Sequence, residues 1–185
     1  WETIIKRWVS NKIKEEDRTI DQWAFLDRRN VLLPRDYILP SSKKLVLPKN
    51  EKNKIDVLFF LDTSGSCVSY AQRFFDAAKS IPPEKFNLKL MCFDTSAYET
   101  DLKSGKLYGF GGTCFKCIDS YVNSYISKTN PLHGGRKTFV WVLTDGYGSS
   151  ISPQYPKNWF WFLTNYSTTA YIPKQSKIFK LSDFS

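Results

Sequence analysis

Residues Ile55-Asp56-Val57-Leu58-Phe59-Phe60-Leu61 form an almost unbroken apolar run that ends in Asp62-Thr63-Ser64-Gly65-Ser66. Such a run predicts a strand covered on both faces, the pattern of a parallel sheet. The polar segment after it predicts a tight loop, which Gly65 would permit. Val68 to Ile81 then reads as an amphipathic helix stopped by Pro82 and Pro83. Strand, loop and helix in that order open a βαβ unit.

Downstream the alternation continues. Phe86 to Phe93 reads as a second strand, Ala97 to Tyr108 as an edge hairpin around Ser104-Gly105, and Gly111-Gly112-Thr113 as the loop before a helix from about Phe115 to Ile126. Thr138 to Leu143 is a third apolar strand ending in Thr144-Asp145-Gly146, Trp159 to Leu163 a fourth, and Lys177 to Leu181 a last one. Strands alternating with helices predict an α/β fold: a doubly wound, mainly parallel, Rossmann-like sheet flanked by helices.

Upstream, Ile4, Ile5, Trp8, Val9 and Ile13 share one helical face, and a second short helix is expected from Ile20 to Arg28, carrying Trp23, Phe25 and Leu26. Pro34, Pro40 and Pro48 then force extended backbone. Segments this short cannot bury their aromatics alone. We therefore expect residues 1–48 to be an N-terminal helical and extended arm packing on the main domain, residues 49–54 (Lys49-Asn50-Glu51-Lys52-Asn53-Lys54) a solvated linker, and residues 55–185 the main domain. The chain starts at Trp1, not Met, and we read it as a piece of a longer protein.

With 185 residues and 42% apolar side chains, one sizeable core can form and a second full domain has no room. No run approaches the roughly 18 to 20 apolar residues of a membrane span, and no signal-peptide order is present. The four cysteines, Cys67, Cys92, Cys114 and Cys117, are too few to demand a disulfide framework, so a reduced, cytoplasmic protein is expected. Net charge is +9, but residues 1–54 hold 13 basic and 8 acidic side chains and the remainder 14 and 10, so the excess is spread and marks no single nucleic-acid patch. Asn165-Tyr166-Ser167 fits a glycosylation tripeptide that would matter only in a secreted protein.

In sheets of this kind ligands collect beyond the carboxyl ends of the strands. Three loops there carry small oxygen donors: Asp62, Ser64 and Ser66 in the first, Thr113 in the second, Asp145 in the third. Hydroxyls with few carboxylates suit a hard, octahedral cation such as Mg²⁺ or Mn²⁺. Each loop alone could equally be a turn or helix cap. Together, in this order, they point to one metal site.

These residues resemble the von Willebrand A (VWA) family, whose metal-ion-dependent adhesion site (MIDAS) has this three-part layout. Asp62-Thr63-Ser64-Gly65-Ser66 matches the family's Asp-x-Ser-x-Ser, Thr113 its lone threonine, and Asp145 its second aspartate. The resemblance runs from Ile55 to the end. It looks most like a microbial and phage group in which a metallopeptidase-like region precedes a VWA-like domain, and where the start resembles residues 1–48, with its tryptophan-led helix, Arg28-Arg29 and Leu39-Pro40. The resemblance implies a bound Mg²⁺ or Mn²⁺ whose coordination is completed by an acidic residue of a protein partner, such as an AAA+ ATPase of the MoxR kind. The departure is a cysteine rim: Cys67 follows the first motif directly and Cys114 follows Thr113.

Cys114-x-x-Cys117 also has zinc-ligand spacing, but with His133 the single histidine, the remaining ligands would have to be Cys67 and a strand-buried Cys92. The pair is not placed directly after a strand as thioredoxin-like pairs are, and core or supporting cysteines are the better reading. Catalysis has little support: His-Glu-x-x-His is missing, Gly134-Gly135-Arg136-Lys137-Thr138 precedes a strand where a phosphate loop would follow one, and His133 should lie at the opposite end of the sheet from Asp62. Asp94 is the one spare carboxylate to consider as a base, against a simpler role in orienting its loop. We expect a metal-dependent protein-binding module and not an enzyme; the alternative is an RNA-binding VWA-like domain, given the basic, aromatic-rich composition.

Overall fold

The computed structural model describes residues 2–18, 54–102, 104–109, 111–129 and 138–180. The helix expected over Ile20 to Arg28, the proline-rich arm, Arg28-Arg29, Leu39-Pro40, residues 49–53 of the charged run, His133 and Gly134 to Lys137 lie outside them. Contacts divide the chain into two compact units, residues 1–6 with 54–185, and residues 7–53. The first helix, α1 (Glu2–Arg18), has Ile5 and Val9 buried one turn apart, with Ile4, Trp8 and Ile13 half-buried, the face its spacing predicts.

The larger unit is built on six strands: β1 (Ile55–Asp62), β2 (Phe86–Phe93), β3 (Ala97–Thr100), β4 (Thr138–Thr144), β5 (Trp159–Leu163) and β6 (Lys177–Lys180). They form one sheet in the order β3-β2-β1-β4-β5-β6, parallel throughout except for antiparallel β3. All eight residues of β1 are buried, because the strand lies between β2 and β4 with both faces covered. The doubly wound α/β architecture expected from the sequence is thus observed.

Successive residues of β1 point to opposite faces, and each face has its own helix. On one, helix α3 (Phe115–Thr129) lays Phe115, Ile118, Val122 and Tyr125 into a cluster with Leu58, Phe60, Met91, Phe93, Val140, Val142 and Trp161. On the other, helix α2 (Ala71–Lys79) sets Phe74 on Phe59, ring centroids 4.4 Å apart, beside Trp141. Each fully buried ring of this kind contributes about 1.5 to 3 kcal/mol, which holds the strand ends in fixed register. No helix among the described residues is long and apolar enough to cross a membrane.

Two local expectations need correction. The helix read over Val68 to Ile81 begins with a 3-10 turn, Val68–Tyr70, and α2 starts only at Ala71. The turn is closed by bonds three residues back, from the Tyr70 N–H to the Cys67 carbonyl at 3.0 Å and from the Ala71 N–H to the Val68 carbonyl, which is the tighter 3-10 winding. The hairpin read around Ser104-Gly105 instead turns at Asp94–Ser96, pairing β3 with β2 so that Cys92 faces Tyr98. Asp94 closes that turn by accepting the Ser96 N–H on Oδ1 at 2.9 Å.

Candidate metal centre

Asp62 ends β1 with no solvent exposure, so its charge must be met by neighbouring dipoles. Thr144 Oγ1, at the end of β4, donates to Oδ2 at 2.7 Å, and the Ser64 N–H donates to Oδ1 at 2.9 Å. Thr113 Oγ1 stands 3.4 and 3.3 Å from the two carboxylate oxygens. Burial raises the Asp62 carboxyl above its ordinary value; the Thr144 and Ser64 hydrogen bonds oppose that rise, and the negative charge of Asp145 adds to it.

Asp145 follows β4 and is half-buried. Its Oδ2 accepts Ser66 Oγ at 2.6 Å and its Oδ1 accepts the Tyr147 N–H at 3.1 Å. Ser64 Oγ and Ser66 Oγ are 3.4 Å apart. The next residue, Gly146, has φ +82°, and a Cβ there would overlap the Thr168 carbonyl, so the turn that presents Asp145 requires glycine. Gly65, expected to permit the first loop, does not carry the same requirement: its φ is not positive and a Cβ would meet open space.

Thr113 is placed from below by Asp94. Asp94 is buried, accepts the Gly111 N–H on Oδ2 at 3.3 Å, and through its carbonyl accepts the Cys114 N–H at 2.8 Å. Gly109, at φ +100°, brings its backbone against the same group; an added Cβ would stand 2.7 Å from Thr63 Oγ1 and 2.9 Å from the Asp94 carboxylate. Burial works to raise the Asp94 carboxyl, but the backbone N–H groups of Ser96, Thr95 and Gly111 more than offset it and hold it below the usual carboxylate value. These bonds fit the loop-orienting role.

Asp62, Cys67 and Asp145 offer ligand atoms within 4.8 Å of one another, a group able to hold a metal ion. Among the described residues it is the one such group, so the four cysteines are not gathered as a zinc site would need. All four are free thiols: Cys67 and Cys92 are buried, Cys114 and Cys117 half-buried. Burial, reinforced by Asp62, pushes the Cys67 thiol up to about 11. At the start of α3, burial raises Cys114 but hydrogen bonds from Cys117, Ser149 and Lys116 bring it below the ordinary thiol value, while burial and the neighbouring Cys114 push Cys117 up to about 12.

The sequence matches no family model and no curated protein. Asp62, Ser64, Ser66, Thr113 and Asp145, the five residues expected from sequence, come together at the carboxyl ends of β1 and β4 and the N-terminal approach to α3. Their chemistry, two carboxylates and three hydroxyls graded from buried Asp62 to exposed Ser66, fits a hard divalent cation open to solvent on one side. Thr144 was not expected in the site. Its signal was a hydroxyl at the last position of an otherwise apolar strand, where a side chain facing the neighbouring strand end meets whatever ends that strand.

Proposed function

We propose that this chain is a VWA-type module that binds one Mg²⁺ or Mn²⁺ through Asp62, Ser64, Ser66, Thr113 and Asp145 and uses it to capture an acidic side chain of a partner protein. The observation that carries this reading is the meeting of oxygen donors from three distant segments: Ser66 and Asp145 are 79 residues apart in the chain and 2.6 Å apart in space, and Asp62 and Thr113 are 51 apart and 3.3 Å. The sheet order, with the site at the ends of its two central strands, supports it. A bound ion would supply the positive charge on which a partner carboxylate closes. Asp62 anchors the site from beneath the surface; with Asp145 it offsets the ion's formal charge, so a partner carboxylate would be held by direct coordination on the solvent side, where the remaining donors Ser64, Ser66 and Thr113 are neutral. The partner class is a protein with an exposed Asp or Glu, an AAA+ ATPase of the MoxR kind being our candidate, in the cytoplasm. Binding without turnover is favoured because Asp94, the spare carboxylate under the Thr113 loop, is committed to backbone N–H groups.

Calorimetric titration with Mn²⁺ tests the site. One equivalent should bind the wild type and none should bind Asp145→Ala, with Ser66→Ala weakened; both side chains reach solvent, so folding should survive. Unchanged binding in Asp145→Ala would sink the site. Partner capture from the native host should vanish in EDTA. Capture of RNA that persists in EDTA and weakens steeply as salt rises would replace the reading with nucleic-acid binding.

A further inference from the structure

Cys114 occupies the residue directly before α3, and Cys117 lies one turn into that helix. The Cys117 thiol donates to the Cys114 carbonyl at 2.9 Å, so the second sulfur is folded back onto the backbone of the first. Cys114 Sγ lies 3.9 Å from Ser149 Oγ, and Ser149 Oγ in turn accepts the Lys116 N–H at 3.4 Å. Both cysteines are half-buried, whereas Cys67 and Cys92 are fully buried. One pair of thiols out of four is thus adjacent and reachable.

We infer that Cys114 and Cys117 form a reversible intramolecular disulfide that regulates the neighbouring metal site. Cys114 adjoins α3 from outside, where helix-like spacing would set its Cβ about 5 to 6 Å from that of Cys117, and a disulfide needs them at about 3.5 to 4.5 Å. Closing the bond therefore tightens the first turn of α3 and pulls on the segment before it. That segment is Thr113, next in the chain to Cys114, whose Oγ1 faces Asp62 at 3.3 Å and whose position depends on the Cys114 N–H bond to the Asp94 carbonyl at 2.8 Å. A link that needs such distortion is readily reduced, which suits a switch and not a permanent brace.

The oxidant is a low-molecular-weight disulfide. Cys114, whose sulfur is not held by the Cys117 bond, loses its proton to solvent and attacks one sulfur of that disulfide, forming a mixed disulfide and releasing one thiolate. Cys117, also losing its proton, then attacks Cys114 Sγ and expels the second thiolate. The two cysteines give up two electrons, and the small disulfide leaves as two thiols.

The control of the metal site rests on the metal reading above; the disulfide does not. The test equilibrates the whole chain with mixtures of oxidised and reduced glutathione, blocks free thiols, and maps the linked peptides by mass spectrometry. The expected product is a Cys114–Cys117 link, about 2 Da lighter than the reduced chain, with Cys67 and Cys92 still alkylatable after unfolding. Cys117→Ser should instead trap glutathione on Cys114. Mn²⁺ affinity should fall about tenfold in the oxidised chain, the scale set by disturbing a residue that orients a ligand, and Cys114→Ser/Cys117→Ser should show no redox response. No link, or links through Cys67 or Cys92, overturns the proposal. A link with unchanged Mn²⁺ affinity overturns the regulatory step. Reduced protein that binds no Mn²⁺ overturns the metal reading and the regulatory step together, and the mass readout then judges the disulfide alone.

Discussion

Thr144 Oγ1 donates to Asp62 Oδ2 at 2.7 Å while accepting the Gly146 N–H at 3.1 Å. One hydroxyl thus serves both a buried carboxylate and the turn that presents Asp145. Thr144→Val keeps the shape and removes both bonds, leaving Asp62 under-solvated; stability should fall by about 1 to 3 kcal/mol in urea titration. Mn²⁺ binding should weaken by about tenfold or more. Thr144→Ser should restore most of both, and a valine variant as stable as wild type would show that the hydrogen bond to Asp62 matters little.

Gly146 and Gly65 sit in neighbouring loops and should respond oppositely to alanine. At Gly146 the positive φ and the Thr168 carbonyl both oppose a Cβ, and Gly146→Ala should cost about 2 kcal/mol or more. At Gly65 nothing lies within 4 Å, and the change should be neutral within about 0.5 kcal/mol. Thermal midpoints of the two variants decide the matter.

The Asp94 carboxyl is held below its unfolded value, so its stabilising contribution is complete above the ordinary carboxylate range, near pH 3.9, and is lost as pH falls through the lower folded value. The stability gap between wild type and Asp94→Asn should be constant near neutrality and should narrow below about pH 4. A gap that widened on acidification would contradict the hydrogen bonding described for this residue.

Two buried threonines make a further contrast. Thr63 Oγ1 donates to the Phe93 carbonyl at 3.0 Å, and Thr63→Val should cost about 1 to 3 kcal/mol. Thr138 Oγ1 is buried with no hydrogen-bond partner among the described residues, so Thr138→Val should be neutral or slightly stabilising. Chemical denaturation of both variants measures the difference.

Strands were readable where apolar residues dominate a short segment: Trp159–Leu163, buried throughout, and Phe86–Phe93, whose first half carries exposed Asn87 and half-buried Lys89, begin and end where the sequence says. Local turns were less so. Ser104-Gly105 carries the sequence signal of a turn, and Gly105 does turn with φ +56°, but the Asp94 side chain substitutes for a backbone partner and bends the chain earlier. The five oxygen donors were legible because each stands beside a strand end or a glycine turn. Thr144 was not, since a β-branched hydroxyl inside an apolar strand looks like ordinary strand filler until the register places it opposite the end of β1. The cysteine pair was legible as spacing, but its placement at the start of α3 depended on where that helix begins.

The bonds that assemble the centre span great distances along the chain: Thr144 to Asp62 covers 82 positions and Ser66 to Asp145 covers 79. No fragment containing only β1 or only β4 can therefore contain the site, and it comes into being only when those strands dock. A ligand gripping both ends is consequently coupled to global unfolding and not to a local loop. It should raise the unfolding free energy by RT ln(1 + [L]/Kd), about 2.7 kcal/mol at a hundredfold excess over Kd. Unfolding in the presence of ligand should then be governed by separation of β4 from β1, so that occupancy protects the middle of the sheet from exchange with solvent as fully as it protects the loops.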